Sequence, residues 1–181
     1  DSNLKEIYDY TVSQNISQPS EGSNRRSEIY YKLLSLPPLE PKKSSLLIIG
    51  GKNVTEIFIA WLHGFKWKNI KSIDLHTYSN LVELGDMHDM KYEDNSFYVV
   101  ISGWTLRYST NVKLALSETL RVSKPGGIIS IGFTYNKENA TDPKRKTNKT
   151  EENEIYTTDQ IKEIYKENIR NVYFEFDAYK D

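Results

Sequence analysis

Hydrophobic and polar positions along this chain fall into short blocks that switch between two periods. The run Leu46-Leu47-Ile48-Ile49 is apolar at every position and is ended by Gly50-Gly51, the pattern of a central parallel strand buried on both faces. Val54, Ile57, Phe58 and Trp61 then recur at helical spacing until Gly64, with Asn53 placed to cap and Glu56 three residues on, so a helix follows the glycine turn. Ile70 to Leu75 predicts a second strand carrying Asp74 near its end, Leu81 to Leu84 a short third, and Phe97 to Ser102 a fourth. Asn111 opens a helix over 111–122 that presents Val112, Ala115, Leu116 and either Thr119 or Leu120 on one side. Lys124-Pro125-Gly126-Gly127 turns the chain into the strand Ile128 to Phe133. Thr157 with Gln160 spells a capping box, Ile161, Ile164, Tyr165 and Ile169 supply an apolar stripe, and Val172 to Phe176 alternates as a last strand. Strands alternating with helices predict an α/β fold, a Rossmann-like doubly wound, mostly parallel sheet of about six strands with helices on both faces.

Two stretches break this rhythm. Residues 1–35 are polar at first, with a weak helical pattern in Leu4, Ile7 and Tyr8 and a turn at Gln18 to Gly22. They end in a helix over about 24–35 that Pro37-Pro38 and Pro41 stop. They are expected to form an N-terminal helical appendage or lid, leaving 36–181 as the main domain. Residues 136–154 are almost wholly polar and are expected to form a loop, a second lid over the pocket.

Composition narrows the function classes. With 181 residues the chain supports about one hydrophobic core. A net charge of −1 gives no global field that would draw it to nucleic acid or an anionic membrane, and Lys144-Arg145-Lys146 lies on the polar loop, where it reads as solvated. The chain has no cysteine, which removes disulfides, thiolate nucleophiles and cysteine-ligated zinc. His63, His76 and His88 show no helical His-pair spacing, so no metal site is expected. No apolar run reaches the length of a membrane span and the N-terminus lacks a signal-peptide pattern, so the expected location is cytoplasmic.

In an open parallel sheet, ligands bind beyond the carboxyl ends of the strands where strand order reverses. The residues to examine are therefore Gly50 to Asn53, Asp74 to His76, Gly85 to His88 and Gly103 to Tyr108. Gly50-Gly51 lets backbone approach a ligand at a helix N-terminus. Asp74 follows Gly50 by 24 residues, close to the spacing at which a strand-end carboxylate accepts from a ribose diol. A nicotinamide dehydrogenase would need G-x-G-x-x-G, which GGKNVT does not supply.

The stretches LGDMHDMKYEDNSFYVVISGW (84–104) and SETLRVSKPGGIISIGF (117–133) closely resemble the class I S-adenosylmethionine-dependent methyltransferases of the broad ubiquinone-biosynthesis-like group. The resemblance covers about 45–133. It implies S-adenosyl-L-methionine as cofactor, with Asp86 accepting from the adenine amino group, Met87 packing on the adenine, and Asp74 with the neighbouring Leu75 at the ribose. Gly50 and Gly51 would pass close to the methionine portion, while Ser102, Gly103 and Trp104 would wall the sulfonium and the acceptor pocket.

The chain also departs from the family pattern. Where the family usually has an acidic residue in the first strand and a further glycine after the turn, this chain has Ile48 and Lys52. Either the pocket has lost the cofactor, leaving a non-catalytic binding or scaffold module, or Lys52 pairs with the methionine carboxylate; the intact downstream acids favour the second. His88 and Tyr108 are the candidate bases, Arg107-Tyr108 standing where relatives often carry a histidine pair. The motifs IIGGKN, LGDMHDM and GWTLRYS look like a subgroup tied to surface-glycan biosynthesis, which implies O-methylation of a sugar, with another small-molecule acceptor as the alternative. The class normally continues with further strands, so either the chain is truncated or a partner copy in a homo-oligomer completes the sheet edge.

Overall fold

In a computed structural model the structure describes residues 29, 32–33, 35–51, 54–133, 155 and 157–176. The strands are β1 (Leu46–Ile49), β2 (Ile70–Asp74), β3 (Glu83–Leu84), β4 (Phe97–Gly103) and β5 (Ser123–Gly132), and the helices α1 (Thr55–Leu62), α2 (Val112–Val122) and α3 (Thr158–Tyr165). They build a five-stranded sheet in the order β3-β2-β1-β4-β5, in which every pairing is parallel. Parallel neighbours need crossovers; α1 lies in the one from β1 to β2 and α2 in the one from β4 to β5, while β2 and β3 are joined by a loop. The order reverses between β1 and β4, and that switch point sets the site.

All four β1 residues are buried because the sheet is covered on both sides. Leu46 and Ile48 pack with Ile57 and Ala60 of α1, with Phe65 and with Val99 and Ile101 of β4. Leu47 and Ile49 point the other way, into a cluster with Val100, with Val112, Ala115 and Leu116 of α2, and with Ile161 and Tyr165 of α3. This period-two division is the physical content of an all-apolar strand. Leu33, helical like Ile29 and Lys32, is buried in the α1-side cluster.

Local capping decides where two helices begin. The Asn111 side chain accepts from the Leu114 N–H at 3.0 Å, and Thr157 and Gln160 form the reciprocal capping box. α1 starts differently, with Val54 at its N-cap and no side-chain cap bond; Asn53 lies outside the described residues. Its apolar stripe is also rotated from the sequence expectation. Glu56, Ile57 and Ala60 are buried, whereas Phe58 and Trp61 are exposed and pack edge-on against Trp67. The ring cluster satisfies those aromatics against one another outside the core.

The Lys124–Gly127 turn is present as a bulge inside β5. Phe97 faces Ser123 and Val99 faces Ile128, so the strand loops outward between them. An added Cβ at Gly127 would lie 2.7 Å from the Tyr98 carbonyl oxygen and 2.8 Å from that of Lys124, so only glycine fits. A hub at Arg121, near the end of α2, holds the segment before β4. Its Nε and Nη2 donate to the two oxygens of Glu118 at 2.6 and 2.8 Å, Nη1 to the Tyr92 carbonyl and to Asp94 at 2.8 Å each, and Nη2 to the Met90 carbonyl at 2.9 Å. The Asp94 and Arg121 of the family-like motifs are thus partners in one structural clamp.

The strand expected over Val172 to Phe176 does not form. That stretch carries no secondary structure and pairs with no strand among the described residues, and its apolar residues are exposed. Alternation favours a strand only where an edge accepts it, and the ladders involving β5 run only to β4 among the described residues. Among the described residues five strands therefore stand where about six were expected. Residues 1–28, 136–154 and Lys52, with the roles expected of them, lie outside the described residues. Among the described residues no helix is long and apolar enough to cross a membrane.

Candidate active site

The carboxyl ends of β1, β2, β3 and β4 converge on one edge of the sheet. Gly50 takes φ +73°, and its N–H donates to the Ile73 carbonyl at 2.8 Å, bending the chain off β1. A Cβ at Gly50 would meet Thr105 Oγ1 at 2.1 Å, and one at Gly51 would meet Ser72 Oγ at the same distance. Gly50 is therefore required both by close approach and by its left-handed backbone, while at Gly51 the Ser72 hydroxyl would have to turn aside. Thr105 is buried, with its hydroxyl within reach of the Ile49 carbonyl at 3.1 Å and the Gly103 carbonyl at 3.2 Å.

Asp74 ends β2 and accepts the His76 N–H at 3.1 Å. Its carbonyl accepts from Gly85 N at 3.0 Å, which brings the Asp74–Leu75 and Gly85–Asp86 ends side by side. Leu75 is half-buried beside it. Asp86 follows β3 and is partly exposed, with Oδ1 accepting both the His88 N–H at 2.9 Å and the His88 ring Nδ1 at 2.6 Å. Oδ2 of Asp86 has no partner among the described residues. Met87 is buried in the α2-side core, so at most an edge of its side chain reaches the pocket.

At the end of β4 the backbone opens. Gly103 is buried, yet a Cβ added there would meet no described atom within 4 Å. Ser102 Oγ, on the residue before, is buried without a hydrogen-bond partner among the described residues. Trp104 holds φ +56°, a strained conformation for a bulky residue. Its N–H donates to the Gly132 carbonyl at 2.7 Å, and its ring passes so close to Gly132 that a Cβ there would sit 3.1 Å from it. Trp104 is a fixed wall of this opening.

The two candidate bases differ. His88 has both ring nitrogens engaged, Nδ1 with Asp86 and Nε2 with Ser109 Oγ at 2.7 Å, so its ring offers no open lone pair. Tyr108 ends a short 3₁₀ turn at Leu106–Tyr108, with the Arg107 guanidinium 5.0 Å from its ring centre. Sequence reasoning missed Ser72, Thr105 and Ser109; Thr105 and Ser109 lie within the GWTLRYS block, but nothing in their spacing signals the contacts.

These features together are an open parallel sheet with a glycine turn, two strand-end acids and an aromatic wall at its switch point. Residues 64–131 match the family model described as a methyltransferase domain. That segment of the chain is similar to a methyltransferase domain. The matched segment runs from the end of α1 to β5 and begins after the glycine turn, where this chain departs from the family pattern. Over 52 residues the chain is 40% identical to the demethylmenaquinone methyltransferase of Symbiobacterium thermophilum, an alignment spanning 28% of this chain and 21% of that protein. Among solved structures, a protein from Pyrococcus horikoshii aligns at a TM-score of 0.50 with 20% identity over 64% of this chain and 61% of that one. One titled a methyltransferase from Bacillus halodurans aligns at 0.50 with 17% identity over 65% and 55%. Those likenesses establish the fold.

Proposed function

We propose that the protein transfers the methyl group of S-adenosyl-L-methionine to a small-molecule acceptor. The observation that carries this reading is Asp86 Oδ2, without a partner among the described residues, at the same sheet edge as Gly103, whose Cβ direction meets no described atom within 4 Å. A carboxylate oxygen with spare lone pairs suits an exocyclic amine, and the buried Ser102 hydroxyl, without a partner among the described residues, suits a polar group of a ligand. Asp74 would accept from the ribose hydroxyls beside Leu75. Gly50 and Gly51 would let the backbone approach the methionine portion, with Lys52 pairing its carboxylate. Gly103 and Trp104 would wall the sulfonium, an aromatic face being a favourable neighbour for a cation, and Met87 would touch the adenine edge.

The cofactor supplies a methyl group on a good leaving group, so the protein's task is to align and to exclude water. An oxygen acceptor also has a proton to lose; Tyr108 is the candidate to receive it, for which its phenol would first have to give up its own proton, since both His88 ring nitrogens are engaged. The finer reading is O-methylation of a sugar hydroxyl in glycan biosynthesis, in the cytoplasm, supported by the resemblance of IIGGKN, LGDMHDM and GWTLRYS. A non-catalytic methyltransferase-like module is the alternative favoured by the altered glycine turn. Calorimetry with S-adenosylhomocysteine separates them: binding is expected, weakened at least tenfold by Asp86→Ala, and no binding at millimolar ligand refutes the enzyme. Methyl transfer to nucleotide sugars against non-sugar hydroxyls then decides the acceptor; transfer confined to the latter refutes the sugar reading.

A further inference from the structure

Asp86 is not simply an acid left on a loop. His88 Nδ1 lies 2.6 Å from Oδ1 of Asp86, and His88 Nε2 lies 2.7 Å from Ser109 Oγ. Ser109 is fully buried, and its oxygen accepts the Asn111 N–H at 3.1 Å. Asn111 in turn caps α2 through the Leu114 N–H. The protons along this chain are accounted for with a neutral imidazole. The Asn111 N–H fills one lone pair of Ser109 Oγ, the serine O–H points to Nε2, and Nδ1–H donates to the carboxylate. The orientation of the acid is therefore referred through two side chains to the N-terminus of a helix whose Val112 and Leu116 sit in the core.

We infer that His88 and Ser109 are positioning residues that hold Asp86 by one oxygen so that the other is presented, already oriented, to the amino group of the bound purine. The inference rests on the cofactor reading and deepens it. An unrestrained aspartate would have to lose two torsional freedoms on binding. Here the torsions are set beforehand by a charge-assisted bond whose donor is itself immobilised. The relay joins residues 21 apart in sequence, the loop after β3 and the loop after β4, which are the two walls of the proposed adenine side of the pocket.

The test is calorimetry of the full chain with two probes, S-adenosylhomocysteine and its 6-deamino analogue, in which hydrogen replaces the adenine amino group. Wild type is expected to prefer the amino ligand by about tenfold or more, as for a hydrogen bond to a charged group. In His88→Ala the preference should fall to about threefold or less, while the analogue binds nearly as before. His88→Asn, whose amide can still donate to Asp86, should restore most of the preference, and Ser109→Ala should lose part of it, so the inference stays open to test if the alanine variant at 88 does not fold. An equal loss for both probes in His88→Ala would show a merely structural ring and overturn the inference. Equal binding of both probes by wild type would show that Asp86 does not read the amine, which also overturns it. Wild type binding neither probe would instead refute the cofactor reading itself.

Discussion

Two glycines share one backbone conformation but not one environment, and the comparison isolates what the site demands of Gly50. Gly50 has φ +73° and Gly126 φ +74°, so alanine at either position incurs the same left-handed penalty of about 1–2 kcal/mol. Any gain from restricting the unfolded chain is common to both and cancels. At Gly126 the added methyl meets no described atom within 4 Å. At Gly50 it would sit 2.1 Å from Thr105 Oγ1, 2.5 Å from Cγ2 and 2.8 Å from Cβ. Thr105 cannot easily retreat, because it is buried and its hydroxyl is tied to the Ile49 or Gly103 carbonyl. Forcing a methyl into such a contact costs about 1–3 kcal/mol more. Gly50→Ala should therefore lose about 2–5 kcal/mol against about 1–2 for Gly126→Ala. Urea unfolding at neutral pH, with midpoints compared at a common slope, measures both. Equal losses in the two variants would show that Thr105 does not hold the turn, and the close-approach argument would fail.

Arg121→Ala should destabilise the domain by about 3 kcal/mol, since it strands the Met90 and Tyr92 carbonyls and leaves Glu118 without its bidentate partner; partial exposure of the guanidinium keeps the figure from being larger. Arg121→Lys should recover less than half, because one ammonium cannot span those acceptors, and a loss under about 1 kcal/mol for alanine would refute the clamp. The Arg121 hydrogen bonds, reinforced by the Met90 N–H, hold the Glu118 carboxyl below its ordinary value of 4.5. The folded value is depressed, so this stabilisation is complete above the unfolded value and is lost as pH falls through the folded one. Thermal unfolding of Glu118→Gln should accordingly show a shallower fall in stability below about pH 4.5 than wild type; identical slopes would refute it.

Much of the fold was written locally. Four consecutive apolar residues at 46–49, the Asn111 cap and the Thr157/Gln160 box each act through neighbours a few residues away, and all three formed as their spacing predicts. The two strand-end acids and the glycine turn were legible for a related reason: in a parallel sheet every strand delivers its last residues to the same edge, so order along the chain fixes position in space.

What the sequence could not determine depends on partners distant along the chain. Alternation at 172–176 predicts a strand, but a ladder needs an edge to receive it, and none does among the described residues. The spacing of Phe58 and Trp61 predicts burial, yet Trp67 engages them outside the core. His88 reads as a candidate base until Ser109, 21 residues later, is found on its second nitrogen. Periodicity and capping are short-range energies that a sequence states directly. Which side chain closes on which across the sheet edge is set by packing of the whole domain, and only the tertiary structure decided it.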